Sequence, residues 1–438
     1  MPRHRKTPIS RASLKARAQR RSGVRGVLVF ICIAYAAIAA AYAITIPFGQ
    51  APDESAHLPY ITYIADRGSL PVFRPGGGSY EFHQAPLYYL LAVPAFLIGR
   101  AIGPGREYIA VRLFGILLGL LAICFTYLLA REFCPARPWL ALASAGFVAF
   151  LPMHLALSAS VTNDIAAEIP FAVGLWQMIV AMRDGWRWRR VLTVGIACGL
   201  AVLMKSSGLA LLPVAWLAVA VGPRESGARP RLLRLAALTA VTLLICGWWL
   251  ARNWALYGDP LAWRAFSQAF AHNPHPSDLI GPNLSAFNYV LWVIGWTFAS
   301  FWGVFGTWAK GITPVSMPTW LYLGLAALTA AAGVGATLEA RDARAWEAWR
   351  RRAAWVLGAA VLLVAASFVR FNVAFFQAQG RYLFLALPVV AMVVTAGWGR
   401  LFPTGLRTAG YTVLWLGMMA LSALALPVWV LPVVGRPG

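Results

Sequence analysis

Long apolar runs recur through almost the whole chain, and they constrain its fold more than any other feature. A helix needs about 20 apolar residues to cross a bilayer, and many of the runs approach that length. Of the 438 residues, 60% are hydrophobic and 12% are charged. This composition excludes a soluble domain and predicts an all-α, polytopic membrane helical bundle. The apolar segments are 27–46, 86–102, 109–130, 138–157, 165–182, 191–204, 207–221, 232–251, 289–307, 319–337, 354–371, 382–398 and 410–432.

The basic residues are concentrated in the N-terminal tail and in short loops between the apolar runs. A formal net charge of +23 could suggest nucleic-acid binding. Lys and Arg in short loops are, however, typical of the cytoplasmic side of a membrane protein, so no nucleic acid is predicted as a partner. The five cysteines lie within or at the ends of apolar runs, which predicts neither a disulfide nor a thiolate zinc cluster.

The first apolar run follows a basic tail that contains no acidic residue. A cleaved signal peptide has the same order of features, but its apolar core is usually ~7–15 residues, shorter than the run 27–46. We therefore predict a retained helix, a basic cytoplasmic tail over 1–26 and a transmembrane domain over 27–438.

Placing the basic loops with the tail on the cytoplasmic side predicts the topology. The segments 86–102 and 289–307 then cannot cross, and become interfacial or re-entrant helices on the outer side. The run 191–221 is too long for one span and becomes a hairpin of two short helices, with Lys205 at its outer turn. About eleven crossings result, with the C-terminus outside. The large outer loops are 47–108 and 253–288.

The motif APDESAH, directly after the first apolar run, places two adjacent carboxylates beside a membrane helix. Asp53 and Glu54 are costly to desolvate unless a cation, water or a substrate proton shares their charge. We interpret them as catalytic, with Asp53 as general base. Asp53 could alternatively cap the helix that follows Pro52. His57, one turn further on, is predicted to bind substrate or a metal.

Charged residues at other outer helix ends could complete a site with these acids. Asp164 is either a helix cap or, with Asp53, a ligand of Mg²⁺ or Mn²⁺. Lys205 lies inside an apolar run, where an unpaired ammonium costs ~2.5–3.5 kcal/mol, so it should reach an anion such as a lipid phosphate or snorkel to the interface. Arg370 and Arg381 flank an outer turn and could clamp a phosphate.

The stretch EFHQAPLYY ends in an aromatic pair typical of a membrane interface. His83 and Gln84 in this stretch could line a binding site, and we predict that they contact substrate.

Several short motifs occur in an order that resembles the GT-C membrane glycosyltransferases. The resemblance is to the family-39-like branch that includes protein O-mannosyltransferases and lipid A aminoarabinose transferases. It covers about residues 50–390, and the order is more specific than any single motif. The motifs are Asp53-Glu54, Gly68 to Pro71, QAPLYYLL from Gln84, Asp164, Leu203-Met204-Lys205 with Pro213, YGDP from Tyr257, and QGRY from Gln379 to Tyr382.

The resemblance implies transfer of a sugar from a polyprenyl phosphate to a lipid, glycan or protein acceptor, with inversion, on the outer face of the cytoplasmic membrane. Asp53 would take the acceptor proton, while Glu54, Asp164 and His57 would hold a cation or orient the substrates. Lys205, Arg370 and Arg381 would meet the donor phosphate, beside Tyr382 of the QGRY motif.

One position departs from the aminoarabinose transferases. They carry a lysine just before the proline where this chain has Gln84-Ala85-Pro86, so one phosphate contact is missing or supplied differently. Sugar and acceptor therefore stay open. The alternatives are a non-catalytic flippase or transporter of lipid-linked glycans, and a glycan polymerase or ligase.

Overall fold

A computed structural model describes residues 11–223, 228–271, 273–306 and 314–434. Part of the predicted basic tail (1–10), of the basic loop 222–234 (224–227) and of the outer loop 253–288 (272) lies outside them. The helices are α1 (Arg11–Thr45), α2 (Glu54–Arg67), α3 (Leu87–Ile102), α4 (Glu107–Phe133), α5 (Pro138–Ala149), α6 (Pro152–Ser158), α7 (Asp164–Asp184), α8 (Trp188–Met204), α9 (Leu211–Ala220), α10 (Ala228–Tyr257), α11 (Trp263–Ala269), α12 (Pro276–Leu279), α13 (Ala286–Gly303), α14 (Thr319–Arg341), α15 (Ala348–Ala374), α16 (Leu387–Leu401), α17 (Arg407–Ala425) and α18 (Leu431–Val434).

Short irregular elements join these helices. The strands β1 (Val304–Phe305) and β2 (Val315–Ser316) pair antiparallel. The 3₁₀ turns are Tyr80–His83, Ser206–Ala210, Asp342–Ala345 and Gly380–Ala386, and a π turn covers Leu426–Val430. The predicted all-α class is confirmed, and within the described residues each predicted apolar segment lies mainly on one or two helices.

Eight helices of the described chain are long and apolar enough to cross a membrane. The number rises to nine if α5 and α6, which meet at 62°, form one broken span. Pro152 begins α6, and a proline cannot continue the hydrogen bonding of a preceding helix. The predicted count of about eleven is not confirmed, because α8 has 17 residues and Ser206–Ala220 is also short.

The predicted break within 191–221 is present, and it lies at Lys205. This residue has an extended backbone, with φ −159° and ψ 137°, between α8 and the turn that leads into α9. The turn packs so closely on α8 that a Cβ added at Gly208 would lie 2.2 Å from the carbonyl oxygen of Ala201. The break therefore needs glycine at this position.

Small residues allow close packing between helices in the bundle. A Cβ on Gly335 of α14 would lie 2.1 Å from the carbonyl oxygen of Gly397 on α16. Of the eight helices of the described chain that are long enough to cross a membrane, α7 is the most buried. Its first residue, Asp164, lies at the end of the bundle where the charged residues meet.

Candidate active site

A cavity of about 220 Å³ lies at the end of the bundle where α1, α8 and α15 end and where α2 and α7 begin. It brings together nine of the ten predicted site residues, with Glu54 the exception. One part of its wall is charged and another is aromatic. The predicted residues in the lining are Asp53, His57, His83, Gln84, Asp164, Lys205, Arg370, Arg381 and Tyr382.

Asp53 lies between the loop after α1 and the first turn of α2. Its backbone is left-handed, with φ 59° and ψ 4°, a conformation that costs a non-glycine residue ~1–3 kcal/mol and that clusters at functional sites. Tyr80 donates a hydrogen bond to Oδ1 at 2.7 Å, and Nη2 of Arg381 donates to Oδ2. The side chain makes no helix-capping bond, so its contacts belong to the cavity.

Arg381 connects the two predicted acids. While Nη2 binds Asp53, Nη1 donates to Oδ2 of Asp164 at 3.2 Å, and Nζ of Lys205 pairs with Oδ1 of Asp164. The side chains of Arg381 and Asp164 are 3% and 4% exposed. Two cations therefore balance two carboxylates in a largely buried network, and removal of one charge would leave its partner unpaired.

The pKa of Asp53 reflects this environment. Burial disfavours the carboxylate, but the Arg381 guanidinium, His57 and the hydrogen bonds from Arg381 and Tyr80 outweigh it and hold the pKa below its usual value. Asp53 is thus an ionised carboxylate at neutral pH, able to accept a proton.

The backbone around Arg381 is positioned by close packing. A Cβ on Gly380 would lie 2.4 Å from backbone atoms of Phe301 on α13. The Gly380 N–H donates to Oγ of Ser300 at 2.8 Å, and Nε of Arg381 donates to Gln379 at 2.7 Å. The QGRY motif therefore places the guanidinium by means of its glycine and its glutamine.

His57 lies on the first turn of α2, beside Asp53 in the cavity lining. Its Nδ1 is 2.8 Å from the Tyr89 hydroxyl. Burial lowers the pKa of His57 to about 4, although Asp53 and Asp164 favour the charged form. The ring is therefore neutral at physiological pH.

Gln84 and Tyr382 also line the cavity. Oε1 of Gln84 accepts a hydrogen bond from Asn163 at 3.4 Å. The ring of Tyr382 lies under both cations, with its centroid 5.3 Å from Nζ of Lys205 and 5.1 Å from the Arg381 guanidinium carbon. Such contacts stabilise the cations while leaving their donors available.

Arg370 differs from Arg381 in having no salt bridge within the described residues. It is exposed, and its guanidinium carbon lies 5.0 Å from the ring centroid of Trp263. This cation is therefore not neutralised by a carboxylate of the cavity. The aromatic lining near it is Trp263, Phe266, Phe270, Phe368 and Phe371.

Glu54 is buried away from the cavity, although it is adjacent to Asp53. Its carboxylate accepts two hydrogen bonds from Arg112 at 2.7 Å, one from the Gly49 N–H at 2.9 Å and one from the Val161 N–H at 3.1 Å. Arg112 also binds carbonyl oxygens at the end of α1. The predicted pair of catalytic acids is thus divided: Asp53 faces the cavity, while Glu54 joins three segments of the bundle.

Asp164 is the first residue of α7, and Asn163 before it makes no side-chain capping bond. Asp164 instead uses both carboxylate oxygens for Arg381 and Lys205. Lys205, 18% exposed, thus reaches an anion as predicted, but that anion is a carboxylate of the protein.

Two further residues belong to the site although no prediction from the sequence named them: Tyr80, through its hydrogen bond to Asp53, and Glu81. Tyr80 binds Asp53 as described, and Glu81 lines the cavity. Burial, reinforced by the charge of Asp53, raises the pKa of Glu81 to about 8. Both residues directly precede the Phe82-His83-Gln84 stretch. An acidic residue next to the predicted His83 and Gln84 was the signal in the sequence that could have identified Glu81.

The group of ligand atoms best placed for a metal is not the predicted pair. Asp53, His57 and Glu81 each offer one ligand atom within 4.8 Å of the others. In the predicted pair, by contrast, Asp53 and Asp164 share the Arg381 guanidinium. A cation bound between those two carboxylates would have to displace a fixed positive charge.

Comparisons with known proteins bear on the fold. A sequence model of the dolichyl-phosphate-mannose-protein mannosyltransferase family matches residues 92–269, a stretch that contains Asp164 and Lys205 but not Asp53 or Arg381. A sequence search of curated proteins finds no significant match.

Solved structures match over most of the chain. ArnT from Cupriavidus metallidurans, bound to undecaprenyl phosphate, matches with a TM-score of 0.52 and 18% identity, over 93% of this chain and 73% of that one. The oligosaccharyltransferase AglB from Archaeoglobus fulgidus, with an inhibitory peptide and a dolichol-phosphate, gives 0.54 and 17%, over 92% and 56%. The A. fulgidus oligosaccharyltransferase with Zn and sulfate gives 0.53 and 18%, over 90% and 52%.

The chain therefore spans about three quarters of ArnT and about half of the archaeal enzyme. At these identities the similarity shows the fold. The resemblance to the GT-C superfamily is confirmed at that level: the protein is a multi-pass membrane protein with a GT-C fold.

Proposed function

We propose that the protein is a membrane glycosyltransferase that transfers a sugar from a polyprenyl phosphate to an acceptor, with Asp53 as general base. The observation that carries the proposal is the network in which Arg381 joins Asp53 to Asp164 and Lys205 in one cavity. Glycosyl transfer from a phosphate needs both a base and cations that stabilise the leaving group, and this network supplies both.

In the proposed reaction, an acceptor hydroxyl oxygen forms a bond to the anomeric carbon while the bond from that carbon to the phosphate oxygen breaks. The acceptor proton goes to Asp53. The polyprenyl phosphate leaves with one more negative charge than it carried in the donor, and Lys205 and Arg381 stabilise that charge as it develops. Attack from the side opposite the phosphate inverts the anomeric centre.

Donor binding would also make Asp53 a stronger base. Arg381 lowers the pKa of Asp53 in the absence of substrate. A phosphate that shares the guanidinium weakens this effect, so the carboxylate gains basicity when the donor is bound. Arg370, which has no salt bridge within the described chain, would add to the attraction for the phosphate.

We assign Glu54 a positioning role and not a catalytic one. Its four hydrogen bonds join the loop after α1, helix α4 and the loop before α7. Because Asp53 directly precedes Glu54 in the chain, these hydrogen bonds would also fix the position of Asp53.

We infer that Lys205 and Arg381, and not a bound metal, neutralise the phosphate. A dication at the Asp53–His57–Glu81 group would lie beside the Arg381 guanidinium, which already binds Asp53. If a divalent cation is required, these three residues are the ligands we propose, and chelation by EDTA tests the point.

We also propose that the cavity opens on the outer face of the cytoplasmic membrane, with the basic tail inside. The supporting pattern is that the helices bearing Asp164, Lys205 and Arg370 carry their basic loops at the ends away from these residues. Loops with excess Lys and Arg stay on the cytoplasmic side.

The test is sugar transfer by purified protein in lipid vesicles, with polyprenyl phosphate sugars as donors and membrane extract as the acceptor source. We expect transfer by the wild type with and without EDTA, and transfer that is at least a thousandfold slower by Asp53→Asn. A flippase would instead move the lipid across the vesicle membrane without changing it, and Asp53→Asn would retain that movement.

A further inference from the structure

Two buried polar side chains of the cavity have atoms that neither the proposed base nor the phosphate contacts use. Glu81 and His83, both in the 3₁₀ turn Tyr80–His83, are 3% and 5% exposed. Oε2 of Glu81 and Nε2 of His83 have no hydrogen-bond partner in the part of the chain that the structure describes. Buried polar atoms are nearly always paired in folded proteins, so these two point to a ligand with hydrogen-bonding groups.

The hydrogen-bonding state of His83 follows from its geometry. Nδ1 lies 2.7 Å from the backbone carbonyl oxygen of Tyr80. A carbonyl oxygen only accepts, so Nδ1 carries the proton and Nε2 of the neutral ring is an acceptor. The free atom of His83 therefore suits an O–H or N–H group of the ligand.

Aromatic rings lie beside His83. The His83 ring centroid is 5.5 Å from that of Phe266 and 6.4 Å from that of Phe270, and the two phenyl rings stack at 4.6 Å. Both phenylalanines line the same cavity. A sugar ring combines an apolar C–H face with hydroxyl groups at its edge, so it matches this combination of surfaces.

The position of Glu81 relates this part of the cavity to the reaction. Its carboxyl group lies near Asp53 and His57, with ligand atoms within 4.8 Å of one another. Arg381 binds Oδ2 of Asp53, and Asp164 joins Arg381 to Lys205. A sugar near Glu81 would thus lie beside the base, with the phosphate on the cationic side.

We propose that Glu81, His83, Phe266 and Phe270 form a subsite for a sugar ring. One sugar hydroxyl donates to Nε2 of His83, a second bonds Oε2 of Glu81, and the C–H face packs on the phenyl rings. The inference rests on the proposed function and names the part of the cavity that distinguishes a sugar ester from a bare lipid phosphate. The ring could be that of the donor or of a saccharide acceptor.

Binding measurements on the purified full chain test this subsite. The probes are citronellyl phosphate, its mannosyl, glucosyl and galactosyl esters, and the methyl glycosides of the same sugars. We expect the wild type to bind at least one sugar ester about tenfold more tightly than citronellyl phosphate. If a methyl glycoside binds more tightly than the sugar esters, and the esters bind no more tightly than citronellyl phosphate, the subsite belongs to the acceptor.

Variants then separate sugar binding from phosphate binding. Glu81→Leu and His83→Leu should each remove most of the tenfold preference and leave the affinity for citronellyl phosphate within about twofold. Glu81→Gln, which keeps hydrogen-bonding groups, should retain most of the preference. His275→Gln is the matched control, because His275 lies outside the cavity lining.

A measurement on the wild type does not depend on the folding of the variants. The probes are esters of the preferred sugar, each lacking one ring hydroxyl group. Removal of the hydroxyl at one or two positions should weaken binding about tenfold.

Each contrary outcome has its own meaning. If the wild type binds citronellyl phosphate and all sugar probes with equal affinity, the sugar subsite is overturned. It is also overturned if Glu81→Leu and His83→Leu weaken the binding of citronellyl phosphate as much as that of the sugar esters. Mn²⁺ binding that Glu81→Gln abolishes and His83→Leu retains would assign Glu81 to a metal instead. A wild type that binds no citronellyl phosphate contradicts the proposed function itself.

Discussion

At the scale of single residues, Asp53 and Glu54 show how two adjacent carboxylates acquire different surroundings. The left-handed backbone at Asp53 precedes helix α2, and the two side chains bind different arginines. Arg381 and Tyr80 bind Asp53, which remains 24% exposed in the cavity. Arg112 binds Glu54, which is fully buried. Sequence alone cannot reveal this division, because it depends on one backbone conformation and on arginines far along the chain.

The buried Glu54 pair gives a prediction about stability. Glu54→Gln leaves Arg112 without a compensating charge, and breaking a buried ion pair in this way costs about 3–5 kcal/mol. We expect a clearly lower midpoint of thermal unfolding in detergent. The matched control is Asp66→Asn, which breaks the exposed Arg100–Asp66 pair and should cost ~0–1 kcal/mol. A Glu54→Gln protein as stable as the control would contradict the positioning role.

The groups around Asp53 predict a pH dependence. Its pKa lies below the usual value, and that of His57 is about 4, so neither should lose its functional form on acidification from pH 8 to about 5. Tyr80→Phe removes a hydrogen bond to the carboxylate, so it should raise the pKa of Asp53 and move the acid limb of kcat/KM upward. Any titration near pH 8 should belong to Glu81, whose pKa is about 8.

Two variants check these assignments. Glu81→Gln should remove the titration near pH 8 and leave the acid limb in place. An acid limb that is identical in the wild type and Tyr80→Phe would show that another group limits the rate.

At the scale of elements, the site depends on where helices begin and end. Lys205 lies at the break between α8 and α9, Asp164 at the start of α7, and Arg381 in the turn before α16. The sequence predicted these ends from apolar run lengths and basic loops, which is why Asp53, Lys205 and Arg381 were expected on one side. It did not predict that Arg381 would join both acids, because the packing of the turn Gly380–Ala386 against α13 is a tertiary contact.

Gly380 tests the contribution of that turn. Gly380→Ala would place a Cβ 2.4 Å from the backbone of Phe301, so the turn must shift and move Arg381. We expect sugar transfer to fall at least tenfold, with a lower unfolding midpoint. Gly358→Ala on α15 is the control, because nothing lies within 4 Å of the added Cβ. It should leave transfer unchanged and stabilise the helix by about 0.5–1 kcal/mol. Equal activity of the two variants would contradict the positioning of Arg381 by this turn.

At the scale of the whole molecule, the apolar runs were sufficient to predict the class of fold and the helices, because the period and length of a membrane helix are written in the sequence. The number of membrane crossings could not be predicted in the same way, since α8 and Ser206–Ala220 are too short to be assigned as spans by their length. Tyr80 and Glu81 were missed because their roles arise from burial beside Asp53, which local patterns do not encode.

The proposed orientation can be tested directly in intact cells. Single cysteines introduced at exposed Arg264 and exposed Arg344 lie near the cavity and in the loop between α14 and α15, respectively. In a background without the five native cysteines, a membrane-impermeant maleimide should label the first and not the second. The reverse labelling would place the cavity on the cytoplasmic side.

The central claim is that Asp53 accepts a proton during glycosyl transfer from a lipid phosphate. Its most direct test compares the wild type with Asp53→Asn in purified vesicles, by measuring both the transfer of sugar and the binding of citronellyl phosphate. We expect Asp53→Asn to transfer sugar at least a thousandfold more slowly than the wild type, in the upper part of the ~10²–10⁴-fold range of general base catalysis. Binding should be kept within a few-fold, since Lys205 and Arg381 remain. Transfer by Asp53→Asn at a rate near that of the wild type would contradict this claim.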